Sequence, residues 1–153
     1  MKKTTIVEII RLLFIILFLY TGISKLTEYA IFKEQLALSP ILAPVSTLVA
    51  IGLPWVEFLV VLMLIIPRWH LKGLIASMTL MILFTVYIIG ILIFSEHIPC
   101  SCGGVLAELS WRQHILFNTV FIALAAAGII LEKQVRKNNK NELGNISNKN
   151  LAM

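Results

Sequence analysis

The stretch LKGLIASMTLMILFTVYIIGILIFS, residues 71–95, decides the fold because it contains a single charged residue, Lys72, in 25 positions. An α-helix rises about 1.5 Å per residue, so a helix of this length crosses the roughly 30 Å hydrocarbon core of a bilayer. Lipid offers no partners to backbone N–H and C=O groups, and a helix satisfies these groups internally. The stretch therefore predicts a transmembrane helix.

Three further apolar stretches of similar length lie at residues 5–24, 45–66 and 112–131. The whole chain is 59% hydrophobic and only 14% charged, which excludes an ordinary soluble domain. No ten-residue alternating pattern suggests a membrane barrel. We predict an all-α protein, a four-transmembrane-helix bundle, whose membrane domain comprises residues 1–131 and whose surroundings are the lipid bilayer.

Residues 132–153 form a basic, Asn-rich segment after the last apolar stretch. The formal net charge of the chain is +5, which in a soluble protein would raise the question of nucleic-acid binding. In a membrane protein the same charge is typical of a tail beside anionic headgroups. We therefore predict a cytoplasmic tail that is disordered beyond about Asn138, and no nucleic-acid partner.

The distribution of Lys and Arg predicts the orientation. An even number of helices returns both termini to one side, and basic residues are enriched on the cytoplasmic side. The terminal side carries nine basic residues and the other side three, which are Lys25, Lys33 and Arg112. We therefore predict that both termini are cytoplasmic, in a bacterial inner membrane, and that the break around residues 96–111 is periplasmic.

Both cysteines of the chain lie in this break, within EHIPCSCGG, residues 96–104. A dithiol in an oxidising compartment is either oxidised or in use. A disulfide between residues two apart must fit a Cα separation of roughly 4.4–6.8 Å, so closing it bends the chain and stores strain. Strained disulfides exchange readily, and we predict that Cys100 and Cys102 are a redox pair.

Two other interpretations of the cysteines stay open. The first is a passive disulfide that fixes the loop, although so small a loop gains little chain entropy from a crosslink. The second is a soft-metal site, since His97, Cys100 and Cys102 are suitable ligands for Cu(I) or Zn(II).

Arg11 and Glu57 are charged residues inside predicted membrane helices, where such residues are costly and usually have a partner. Counting residues from the helix ends places them at similar depths, so we predict that they pair. The pair is either a structural ion pair or part of a polar site that holds a quinone headgroup or relays protons.

Tyr20, Lys25 and His114 all fall near the predicted outer ends of their helices, at the level of the cysteines. Lys25 near a thiol would favour the reactive thiolate. His114 is a candidate acid or base, with a hydrogen-bonded packing role as the alternative. We predict that these three residues support the cysteine pair.

The sequence resembles a known family at these positions. YTGISKL, residues 20–26, resembles the end of helix one in DoxX-like membrane proteins. The segments LPWVEFL at 53–59, PCSCGG at 99–104 and SWRQHILFN at 110–118 resemble the MauE branch, the methylamine utilisation membrane proteins. This chain departs from the MauE pattern at Ser101 and Gly103, where that pattern has a glycine and an aromatic residue.

The resemblance implies a four-helix inner-membrane protein that acts with a periplasmic thioredoxin-like partner in disulfide formation during maturation of exported proteins. It implies Cys100 and Cys102 as the redox pair, with Tyr20, Lys25, Glu57 and His114 as supporting residues. A chain with one cysteine pair lacks the second pair used by relays of the DsbB kind. We therefore expect a mixed disulfide with the partner at the outer face, with a quinone optional and a non-enzymatic maturation scaffold as the alternative.

Overall fold

The computed structural model describes residues 2–39, 41–94 and 111–151. Within these ranges five helices follow one another: α1 (Lys2–Thr27), α2 (Tyr29–Leu38), α3 (Ser46–Ile65), α4 (His70–Phe94) and α5 (Trp111–Leu151). Single 3-10 turns, Ala43–Val45 and Pro67–Trp69, lead into α3 and α4. The described part of the chain contains no strand, so the prediction of an all-α protein is confirmed.

Four of these helices, α1, α3, α4 and α5, are long and apolar enough to cross a membrane. They match the four stretches predicted from the sequence. Since consecutive long helices run in opposite directions, the bundle has two ends. We call the end where α1 and α4 finish and α3 and α5 begin the loop end, and the opposite end the terminal end. Residues 95–110 connect α4 to α5 at the loop end.

Aromatic and aliphatic side chains fill the centre of the bundle. Phe14 and Phe18 of α1 are fully buried and stack with ring centroids 6.0 Å apart, while Phe121 of α5 meets Phe14 edge to face at 5.3 Å. The outward faces remain apolar, as Leu48 and Ile93 illustrate with exposed fractions of 74% and 70%. An apolar exterior around an apolar core is the pattern expected of helices surrounded by lipid.

Helices α3 and α4 approach closely near the terminal end. A Cβ atom added to Gly73 would lie 3.0 Å from the backbone nitrogen of Leu64 and 3.0 Å from the backbone carbon of Met63. Backbone atoms cannot move aside as a flexible side chain can. Glycine at position 73 therefore permits this packing, in the manner of small residues between membrane helices.

The short helix α2 follows α1 in a segment that mixes polar and apolar residues. It ends at Leu38, and the hydroxyl of Ser39 accepts hydrogen bonds from the backbone N–H groups of Ile41 and Leu42, both at 3.4 Å. Phe32 and Leu36 are buried on one face of α2. They pack with Ala50 of α3, so α2 covers part of the loop end.

The tail differs from its prediction, because α5 continues as a helix to Leu151 rather than becoming disordered beyond Asn138. The prediction relied on the loss of apolar residues, which removes packing but does not remove the local hydrogen bonds of a helix. No proline interrupts this segment. Glu132 and Arg136, one turn apart, form an ion pair at 2.7 Å where the helix leaves the apolar region.

Candidate functional site at the loop end

A buried ion pair joins α1 to α3 near the loop end. Lys25 Nζ lies 2.8 Å from Glu57 Oε1, and the two residues are only 6% and 0% exposed. Side chains on a helix lean toward its N-terminus, so Lys25 points away from the nearby end of α1 and into the bundle. Its ammonium also donates to the backbone carbonyl of Thr21, one turn earlier, at 3.4 Å. The lysine is thus held by two acceptors.

Gly22 explains how α3 comes close enough to form this pair. A Cβ atom at position 22 would lie 2.9 Å from the ring carbon Cε1 of Phe58 and 3.4 Å from Glu57 Oε2. In this Gly-x-x-Lys spacing, Gly22 leaves room for α3 to approach α1. Lys25, one turn later, is the cation that neutralises the carboxylate of Glu57.

Two aromatic rings complete the surroundings of the ammonium. Lys25 Nζ lies 5.9 Å from the ring centroid of Phe32 in α2 and 5.7 Å from that of Phe84 in α4. Rings at such distances attract a cation through their quadrupole. Lys25 therefore contacts groups from four helices, and the pair helps to fix how those helices meet.

A cavity of about 340 Å³ lies beside the ion pair. Its wall is mainly aliphatic and aromatic, with polar groups confined to a few positions. Among the described residues, the polar side chains on the wall are Thr21, Lys25, Tyr87, His114 and Asn118. A largely apolar cavity with a few polar groups is the usual form of a small-molecule site.

His114 and Asn118 lie one turn apart on α5 and both face this cavity. They are 8% and 3% exposed. The Nδ2 group of Asn118 has no hydrogen-bond partner among the described residues. A buried donor without an acceptor is costly, which makes Asn118 the natural contact for a bound acceptor.

The structure brings together two of the three residues predicted to support the cysteines, since Lys25 and His114 line the same cavity. Tyr20 is 40% exposed and does not line it. A helix turns about 100° per residue, so residue 20 lies roughly 140° around α1 from residue 25. Thr21, which the sequence analysis missed, takes the position facing the cavity. Its spacing of four residues from Lys25 was the available signal.

The predicted pair between Arg11 and Glu57 is wrong. Arg11 Nη1 donates instead to Nδ1 of His70 at 2.8 Å, at the terminal end. Arg11 precedes Gly22, the neighbour of Glu57, by 11 residues, or about 16 Å of helix. Residue counting failed because it assumed that the helix ends are level, whereas Glu57 lies at the height of Gly22 on α1. Glu57 remains part of the site as the partner of Lys25, whereas Arg11 does not belong to it.

Cys100, Cys102 and His97 lie outside the described residues, so their predicted redox or metal-binding roles stay predictions. The chain segment that contains them, residues 95–110, begins eight residues after Tyr87 and ends four residues before His114. Both helices that flank this segment, α4 and α5, contribute residues to the cavity wall. Among the residues that the structure describes, no group of three potential metal ligands is found.

These features define a class: a helical membrane protein of four long apolar helices with a buried ion pair and a cavity at one end. A family model described as methylamine utilisation protein MauE matches residues 3–131. The chain therefore belongs to the MauE family, a family of membrane proteins of methylamine utilisation systems, which confirms the MauE part of the resemblance noted in its sequence. No curated protein and no solved structure matches the chain.

Proposed function

We propose that this protein is a membrane thiol-disulfide redox protein. It works with a periplasmic thioredoxin-like partner in disulfide formation during maturation of exported proteins, as in methylamine utilisation systems. Membership of the MauE family supports the setting. The observation that carries the proposal is the concentration of buried polar groups, Lys25, His114 and Asn118, at the bundle end to which the cysteine segment is attached.

The chemistry is a pair of exchange steps. In the direction of disulfide formation, a thiolate of the partner attacks one sulfur of the Cys100–Cys102 disulfide, a mixed disulfide forms, and the other cysteine sulfur leaves and takes up a proton. The second thiol of the partner, after losing its proton, attacks the mixed disulfide. The partner leaves as a disulfide, and Cys100 and Cys102 remain as a dithiol. The reverse sequence transfers a disulfide from the partner to this protein.

The buried residues have a positioning role in this proposal. The charge of Lys25 is neutralised by Glu57 at 2.8 Å, so Lys25 is not an unpaired cation available to stabilise a thiolate. The pair instead ties α1 to α3 at the loop end. The excess of basic residues on the terminal side supports cytoplasmic termini, an inner-membrane location and a periplasmic cysteine segment.

The test uses Cys100→Ser and Cys102→Ser in the full chain, with Ser101→Ala as the matched control in the same segment. The redox state of a co-expressed thioredoxin-like partner is measured by alkylation and gel shift. We expect both cysteine variants to change the reduced fraction of the partner and the control to leave it unaltered. An unchanged partner in both cysteine variants would refute the relay.

The same variants separate the relay from the two alternatives. Stoichiometric Cu or Zn in the purified protein, lost in either cysteine variant, would favour a metal site formed with His97. Full maturation activity in both cysteine variants, with loss of activity in Glu57→Gln, would favour a non-enzymatic scaffold.

A further inference from the structure

We propose that the cavity at the loop end binds a membrane quinone, with a ring carbonyl accepting a hydrogen bond from Nδ2 of Asn118. This inference rests on the proposed function, because a quinone would serve as the electron acceptor for the cysteine pair. Its evidence is separate from the cysteines and comes from the charge, the donors and the openings of the cavity.

The net charge of the cavity wall favours an uncharged ligand. Among the described residues, Lys25 is the charged side chain on that wall, and the carboxylate of Glu57 lies 2.8 Å from its ammonium. The two charges cancel. Binding an anionic headgroup in this apolar site would therefore cost desolvation free energy, and no free countercharge would offset that cost. A neutral carbonyl oxygen has no such cost.

The polar groups of the wall are suited to an acceptor. Asn118, 3% exposed, presents an Nδ2 donor without a partner. An ammonium has three N–H donors. Lys25 uses one on Glu57 and one on the backbone carbonyl of Thr21, which leaves a third for its other neighbours. Donors set in an otherwise apolar wall match a flat apolar ring that carries carbonyl oxygens.

The size and the position of the cavity also suit a lipid-soluble ring. A volume of about 340 Å³ is at the lower end of the range for small-molecule sites, enough for a ring but not for a long tail. Leu83 lines the cavity and is 56% exposed on α4, so the wall reaches the lipid-facing surface of the bundle there. A ligand can hold its ring inside and extend an apolar tail into the bilayer beside Leu83.

The electron balance is complete with this ligand. Oxidation of the Cys100 and Cys102 thiols to a disulfide forms one S–S bond and releases two electrons and two protons. Reduction of the quinone to a quinol takes up two electrons and two protons at its carbonyl oxygens. The quinol then leaves into the lipid.

The experiment measures binding of a short-tailed ubiquinone analogue to the purified full-length protein in detergent, by equilibrium gel filtration with detection of quinone absorbance. Asn118→Leu removes the donor at similar size, and we expect affinity to fall about five- to tenfold, the effect of one net hydrogen bond. Asn138→Leu makes the same change in the exposed tail and should bind as the unmodified protein does.

A second pair of variants fills space instead of removing a donor. Ile88 lines the cavity and is 1% exposed, whereas the neighbouring Ile89 is 42% exposed on the outer face. Ile88→Phe should abolish quinone binding, and Ile89→Phe should retain it. The elution volume of each variant shows whether it has folded, so a lost site is distinguished from a lost protein.

Unchanged affinity in both Asn118→Leu and Ile88→Phe would overturn the proposal, as would a cavity that retains phospholipid and no quinone. The cysteine variants distinguish its failure from that of the relay. A protein with both cysteines replaced by serine should still bind quinone. Quinone binding in that protein supports the site even if the partner assay fails, and an active relay without quinone binding refutes the site alone.

Discussion

Replacing Lys25 with methionine tests the structural centre of the site. Lys25→Met keeps an unbranched side chain but leaves the carboxylate of Glu57, which is 0% exposed, without its cation. At 2.8 Å and an effective dielectric constant of about 20, the lost attraction is on the order of 6 kcal/mol. Desolvation offsets part of it, and removing one partner of a buried pair typically costs about 3–5 kcal/mol. We expect a loss of folding stability in that range.

The assay is unfolding in detergent mixtures with increasing sodium dodecyl sulfate, followed by circular dichroism. Glu57→Gln should be destabilised comparably, and the double variant should be less destabilised than the sum of the single variants, because neither charge is left uncompensated. Lys72→Met, at an exposed position, is the control and should change stability by less than about 1 kcal/mol. Single variants within about 1 kcal/mol of the unmodified protein, or strictly additive effects, would refute the buried pair.

Three further predictions follow from the packing. Gly73→Ala should destabilise the bundle by about 1–3 kcal/mol in the same unfolding assay because its Cβ would meet the backbone of α3, whereas Gly52→Ala, with no atom within 4 Å, should not. Arg11→Leu should lower stability through loss of its hydrogen bond at the terminal end while quinone affinity stays within twofold, and a large loss of affinity would restore Arg11 to the site. Tyr20→Phe should leave quinone affinity unchanged in the gel-filtration assay, since Tyr20 does not line the cavity.

The helices were predictable because the membrane restricts the backbone so strongly. A 25-residue apolar stretch has one common way to satisfy its N–H and C=O groups in lipid, so residues 71–95 were sufficient to place α4. The end of α2 at Leu38 likewise falls beside a serine and a proline, residue types that favour turns. Local chemistry decided these features, and the structure agrees with them.

The partner of Glu57 was not predictable by the same means. Which cation reaches a buried carboxylate depends on helix rotation, on the inward lean of the Lys25 side chain and on the close approach permitted by Gly22. The cavity is likewise a property of how five helices meet, and no single segment encodes it. Composition also misjudged the tail, because exposed Asn and Lys residues reveal an absence of packing rather than the absence of a helix.

The most direct test of the account is the accessibility of the cysteine pair in intact cells. A membrane-impermeant maleimide is applied with and without an external reductant, and a variant with both native cysteines replaced and Arg68→Cys at the turn between α3 and α4 serves as the control. The account predicts that Cys100 and Cys102 are labelled from outside, more strongly after reduction, and that Arg68→Cys is not. Labelling of the native pair only after cells are permeabilised would contradict it.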